Sequence, residues 1–200
     1  MAPLNDEQLH HIRDERKEQI MGAALKVFSR RGIIGTKMSM IAAEAGISHG
    51  LLYHYFKSKE ELFTTLVESA VLAAQDALQN VYNLPGSHFE KIKALTIDML
   101  DESGTDYFML IHQARTSDGV PEKVKQLVED YSMKAAVGQL LPLFQEGQAA
   151  GQIIAGDLEE LISSYLSVLN GLMVLNVQKI GGYQIPKVNI LLRMIAPFDR

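Results

Sequence analysis

Apolar residues recur at intervals of three and four along almost the whole of this 200-residue chain. Ile20, Ala24, Val27 and Phe28 form one such face, and Leu62, Leu66, Ala70, Ala73, Ala77 and Val81 form another. Leu158, Leu161, Ile162, Tyr165, Leu166, Leu169 and Leu172 form a third. This spacing gathers side chains on one side of an α-helix, whereas a half-buried strand needs strict alternation. Val and Ile, the usual strand formers, fall inside the same pattern. The chain is therefore read as all-α.

Helix-ending residues then divide it. Asn5 with Gln8 matches a capping box and opens a helix to Arg31, which Gly32 closes. Thr36 is placed to cap a short helix over 37–45, closed by Gly46, and Ser48 to cap another over 49–56. Ser58 with Glu61 forms a second capping box at the head of a long helix that ends at Asn83-Leu84-Pro85-Gly86-Ser87. Beyond it the pattern predicts helices over 88–102, 105–116, 121–147, 158–180 and 187–196, about nine in all. Asp157 with Glu160 caps the helix from 158, and Gly181-Gly182 separates the last two. Pro142 is expected to kink or divide the helix over 121–147.

Composition excludes several classes. Without Cys the chain can form neither a disulfide framework nor a Cys-ligated metal site, which fits a reducing cytoplasm. Its first residues are polar and acidic, unlike a signal peptide. The most apolar stretch, around Tyr165–Val177, is interrupted by Ser167, Asn170, Gly171 and Asn176, and reads as a buried helix rather than a membrane span. The net charge of −5 argues against a polyanionic partner until its distribution is considered. Residues 1–59 carry nine Lys/Arg against six Asp/Glu, a net of +3, and residues 60–200 carry ten against eighteen, a net of −8. One end is thus suited to phosphate and the other is not.

The basic end contains the most specific arrangement. A short helix, a turn at Gly46 and a second short helix match the helix-turn-helix plan. Ala42, Ala43 and Ala45 allow close packing, while Leu52 and Phe56, four apart, anchor the second helix inward. His49, Gly50, Tyr53 and His54 then face outward, in the position from which such a helix reads base edges in the major groove. Gly50 permits close approach, and the Tyr53 and Tyr55 hydroxyls can reach phosphate oxygens. Lys59 stands at the start of the next helix, where free N–H groups and an ammonium suit an anion.

The run Gly32…Thr36-x4-Ile41-Ala42-x2-Ala45-Gly46-Ile47-Ser48-x-Gly50-x2-Tyr53-x-Tyr55-Phe56-x-x-Lys59-Glu60-x-Leu62 resembles the tetracycline-repressor (TetR) family over about residues 13–65. The rest resembles that family only in its helical layout. The resemblance implies an N-terminal three-helix DNA-binding domain over 1–60 and a larger effector-binding and dimerisation domain over 61–200. It further implies a homodimeric repressor on a near-palindromic operator, released by a small molecule. By position, Ser48, His49, Gly50 and Leu51 open the reading helix, with His49 and Gly50 where relatives touch bases. Tyr53, His54, Tyr55 and Lys59 fall where relatives touch the backbone, and Thr36 and Lys37 start the helix that crosses it. Leu51 departs from the usual small or polar residue and suits either a thymine methyl or the core. Ser39-Met40 departs where a charged residue is common.

In the acidic part, polar residues interrupt apolar helices. Tyr107, His112, Tyr131, Tyr165 and Asn170, with Met99, Phe108 and Met173, are the candidate lining of a largely apolar effector pocket. Each polar group would equally be satisfied by a neighbouring helix. The last two helices, rich in Leu and Ile, suit a partner subunit. No cofactor or metal is expected, since adjacent His10 and His11 point about 100° apart on a helix. G-x-S-x-G, H-E-x-x-H and P-loop motifs are all lacking, so an enzyme is not expected. The alternatives are a DNA-binding regulator without a small-molecule effector, and a helical enzyme or lipid carrier.

Overall fold

The computed structural model describes residues 6–101, 104–178 and 184–197, with side chains described over 11–101, 104–175 and 184–197. All regular elements among them are helical: α1 (Asp6–Arg31), α2 (Met38–Glu44), α3 (His49–Tyr55), α4 (Lys59–Asn80), α5 (His88–Met99), α6 (Thr105–Thr116), α7 (Glu122–Asp130), α8 (Met133–Ala149), α9 (Leu158–Gln178) and α10 (Val188–Leu191). Short 3₁₀ turns follow at Val81–Asn83 and Leu192–Met194. The proposed Asn5–Gln8 capping pair, the His10 and Asn176 side chains and the Gly181-Gly182 break lie outside the described residues.

The helix expected over 121–147 is two helices, and the division falls at Tyr131-Ser132 rather than at Pro142. Ser132 takes extended backbone and its hydroxyl accepts from the Ala135 N–H at 3.2 Å, so a cap starts α8 there. Pro142 is accommodated inside α8. The helix expected over 187–196 winds into 3₁₀ geometry at Leu192.

The chain forms two compact units. The first comprises Met1–Ala70 and Met109–Leu127. Ile20, Ala24 and Phe28 of α1, Ile41 of α2, Leu52 of α3 and Leu62, Phe63 and Leu66 of α4 are buried at its centre. The Phe28 and Phe63 rings meet edge to face with centroids 5.0 Å apart. Leu110, Ala114 and Val124, from the later segment, are buried as well.

The second unit comprises Val71–Phe108 and Val128–Arg200. Its core draws on Ile92 and Leu95 of α5, Leu140, Leu143 and Phe144 of α8, and Ile162, Tyr165, Leu166 and Leu169 of α9. A complete capping box starts α5: the Ser87 hydroxyl accepts from the Glu90 N–H, and the Glu90 carboxylate accepts from the Ser87 N–H at 2.7 Å. The bond from the Ser87 N–H lowers the Glu90 carboxyl from its ordinary value. By length and composition Leu158–Leu175 could cross a membrane, yet its Ile162, Tyr165, Leu166 and Leu169 are spent on this core.

Candidate nucleic-acid interface

The turn between α2 and α3 is closed by the backbone. Gly46 takes φ +64°, its N–H donates to the Ala43 carbonyl at 3.1 Å, and the Ile47 N–H donates to the Ala42 carbonyl at 3.0 Å. This paired closure needs a left-handed residue, which glycine adopts without a Cβ clash. Gln19 of α1 adds a clamp that the sequence pattern did not signal, its Nε2 donating to the Ala45 carbonyl at 2.7 Å. α1 thereby holds the end of α2 and fixes the angle from which α3 emerges.

Ser48 caps α3, its hydroxyl accepting from the Leu51 N–H at 3.2 Å. Leu52 and Phe56 are buried, and His49, Gly50, Leu51, Tyr53 and His54 are exposed. Tyr55 is half-buried. The His49 and Tyr53 rings meet edge to face at 4.9 Å, as do His54 and Tyr55 at 5.6 Å. Four aromatic rings are thus ordered along one short helix, three of them open to solvent. Around Gly50 a Cβ would meet no atom within 4 Å, so nothing inside the fold calls for glycine there. Leu51, at 36% exposure, lies outside the core, which settles one of its two readings.

Two expected contacts are differently placed. Thr36 does not cap α2: Lys37 is the N-cap and makes no side-chain capping bond. Thr36 is buried and its hydroxyl donates back to the Gly32 carbonyl at 2.7 Å, so it steadies the α1–α2 loop and is withdrawn from any surface ligand. Lys59 is half-buried, and its ammonium donates to the carbonyls of Ile33 at 2.9 Å and Thr36 at 3.3 Å. Two backbone acceptors in the same unit compete with a phosphate for this cation. Lys37 and Lys57, by contrast, are exposed.

Residues 109–127 bear on the same unit. A Cβ on Gly32 would stand 2.9 Å from Gln113 Oε1, and one on Gly119 would stand 2.8 Å from Ile34 Cγ1. Glu68 of α4 pairs with Lys123 of α7. The loop after α1 and the body of α4 are therefore touched by this later segment, a contact no periodicity reveals.

The candidate effector residues differ in burial and surroundings. Tyr165 is buried, and its hydroxyl donates at 2.6 Å to the Thr96 oxygen, which itself donates to the Ile92 carbonyl at 2.7 Å. Burial pushes the Tyr165 phenol up to about 12. Met99 and Tyr131 are partly buried against the same core. Phe108, Asn170 and Met173 are half-buried, Tyr107 is exposed, and His112 belongs to the first unit. A groove in the second unit lies between α4 and α5, and none of these eight residues is among its described lining. Among the described residues no cluster of His, Asp or Glu could hold a metal ion.

Residues 20–66 match the tetR family of bacterial regulatory proteins. The uncharacterized HTH-type transcriptional regulator YerO of Bacillus subtilis is 25% identical over 193 residues, covering 92% of this chain and 66% of the relative. The HTH-type transcriptional regulator AcrR of Shigella flexneri is 29% identical over 93 residues, covering 46% of this chain and 43% of the relative. These alignments span two thirds or less of the relatives' own length. Among solved structures, the MbdR regulator from Azoarcus sp. CIB superposes with a TM-score of 0.74 at 22% identity, covering 88% of this chain and 95% of that one. A protein from Saccharomonospora viridis in complex with choline gives 0.69 at 19% identity, covering 90% and 93%. With the helix-turn-helix geometry and these matches together, the chain resembles the tetR family of bacterial regulatory proteins, most specifically over residues 20–66.

Proposed function

We propose that the chain is a DNA-binding transcriptional regulator of the cytoplasm, acting as a repressor, and not an enzyme. The observation that carries this is α3, which presents His49, Gly50, Leu51, Tyr53 and His54 outward while Leu52 and Phe56 fix it to the fold. His49 and Leu51 are the base-reading side chains, Leu51 by contact with a thymine methyl. Tyr53, His54, Tyr55 and Lys37 bind sugar-phosphate, and the open space at Gly50 admits the groove edge. A relative in Pseudomonas putida, 27% identical over 141 residues, is named the transcriptional repressor NicS.

The working form is a homodimer on a near-palindromic site. Val168 and Leu175 of α9, with Ile190 and Met194 near the end of the chain, are exposed apolar side chains that a second copy would cover. The Leu and Ile residues expected to meet a partner, such as Leu166, Leu169 and Leu192, are buried within their own subunit. A two-fold pair sets its reading helices one helical turn apart, about 34–36 Å, or a multiple of that.

Release comes from a small molecule that favours a state with mismatched reading heads, which requires different affinities for the two states. Gln113, Gly119 and Lys123 meet the loop after α1 and the body of α4 within the first unit, so a shift of their segment would bear on the reading head. The neighbour from Saccharomonospora viridis holds choline, an example of a small ligand in this fold. The closed Tyr165–Thr96 pair favours a second reading, in which no ligand enters that core and a protein controls the regulator. Selecting bound duplexes from a random pool tests the main reading. Enrichment of an inverted repeat is expected, and unselective recovery would refute sequence-specific regulation.

A further inference from the structure

The first half of α1 carries its charges on opposite sides. At about 100° per residue, Arg13, Arg16 and Lys17 share one arc of about 100°, and Asp14, Glu15 and Glu18 share another on the far side. Ile20 and Ala24, buried in the core of the first unit, lie on the basic arc. The face that α1 packs on α2 therefore continues beyond the core as a cationic edge. Glu15 turns away from it toward His11, 3.4 Å distant on the acidic side.

Hydrogen bonds tie this edge to the reading head. The Arg16 guanidinium donates to Gln19 Oε1 at 2.6 Å, and the same amide donates through Nε2 to the Ala45 carbonyl at 2.7 Å. Ala45 closes α2 and stands three residues before Ser48, the cap of α3. A long side chain is thus held half-buried beside the turn, while Arg13 and Lys17 are exposed. The bond to Gln19 takes one of the five N–H donors that a guanidinium carries, and its planar fork suits phosphate oxygens. We propose that Arg16, oriented by Gln19, binds a DNA phosphate at the edge of the groove that α3 enters, and that Arg13 and Lys17 continue this grip along the backbone. One amide then sets both the exit angle of α3, through Ala45, and the direction of the cation. The inference rests on the DNA-binding reading above and adds to it a contact from α1 that is independent of base sequence.

Fluorescence anisotropy of the full chain on the selected duplex and on an unrelated one, over a salt series, tests it. Arg16→Gln keeps a donor for Gln19 and removes the charge. It should leave the melting temperature unchanged, weaken both duplexes about tenfold and reduce the slope of log affinity against log salt by about 1. Adding Arg13→Gln and Lys17→Gln should reduce the slope by about 1–2 more. Lys134→Gln, which removes one charge from an exposed position of the second unit, should change neither affinity nor slope. Gln19→Ala should cost less affinity in the Arg16→Gln chain than in the wild type. An unchanged slope in Arg16→Gln, or an equal loss in Lys134→Gln, would overturn the phosphate contact. Strictly additive losses for Gln19 and Arg16 would overturn the orienting bond. A reduced slope on both duplexes keeps the contact even if the wild type binds the two equally, a result that refutes only sequence reading by α3.

Discussion

The Lys59 ammonium donates to the Ile33 carbonyl at 2.9 Å, joining the start of α4 to the loop that leads into α2. A second bond to Thr36 makes Lys59 a brace of the reading head. Lys59→Ala should therefore lower stability by about 1–3 kcal/mol, the cost of leaving such acceptors unmatched. It should weaken operator binding through a loosened loop, while the slope of log affinity against log salt stays the same. Loss of a phosphate contact would instead reduce that slope by about 1. Thermal unfolding and a salt series by fluorescence anisotropy distinguish the two.

Gly50 separates folding from function in the opposite sense. A methyl group there meets no neighbour within 4 Å, and Ala stabilises a helix over Gly by up to about 1 kcal/mol. Gly50→Ala should keep or raise the melting temperature yet cost at least about tenfold in operator affinity, because the added carbon meets DNA. Undiminished affinity would place Gly50 away from the groove.

Tyr165 gives the second unit an alkaline limit. Its phenol titrates near 10 when free and is pushed up to about 12 in the fold. The folded state thus keeps a proton that the unfolded state releases. Its stabilising effect is complete below pH 10 and is lost as pH rises from about 10 to about 12, by about 2–3 kcal/mol at most. Tyr165→Phe should cost about 1 kcal/mol at neutral pH and show a shallower alkaline decline. Thr96 would still donate to Ile92. Denaturant titrations at pH 8, 10 and 11 measure both effects.

Gly147 is a packing requirement. A Cβ there would stand 2.6 Å from Ile153 Cδ1 and 3.1 Å from His88 Cβ. Ile153 is buried, so its movement disturbs the core. Gly147→Ala should therefore lower stability despite Ala's better helix propensity, since overpacking costs about 1–3 kcal/mol. A raised melting temperature would contradict this.

The legible parts of the sequence were those decided locally. Gly46, Ser48, Leu52 and Phe56 specify the turn, the cap and the buried side of α3 from neighbouring residues alone, and the structure places each as expected. Three and four residue spacing likewise revealed α4, α5, α6 and α9. What stayed hidden depends on distant partners. Lys59 looked like an anion ligand because its local setting suits one, but Ile33 lies 26 positions away. Tyr165 looked like a ligand contact because a buried hydroxyl needs a partner, and Thr96, 69 positions away, provides it. The same limit concealed Gln19 on Ala45 and the small-residue groove between α4 and α5.

The central claim is that α3 reads DNA. Fluorescence anisotropy with the selected duplex and an unrelated duplex of equal length, for the wild type, His49→Ala and Tyr53→Ala, tests it most directly. His49→Ala should lose about 1–3 kcal/mol on the selected duplex and little on the unrelated one, which narrows specificity. Tyr53→Ala should weaken both to a similar degree. Wild-type affinity in both variants, or equal affinity of the wild type for the two duplexes, would contradict the account.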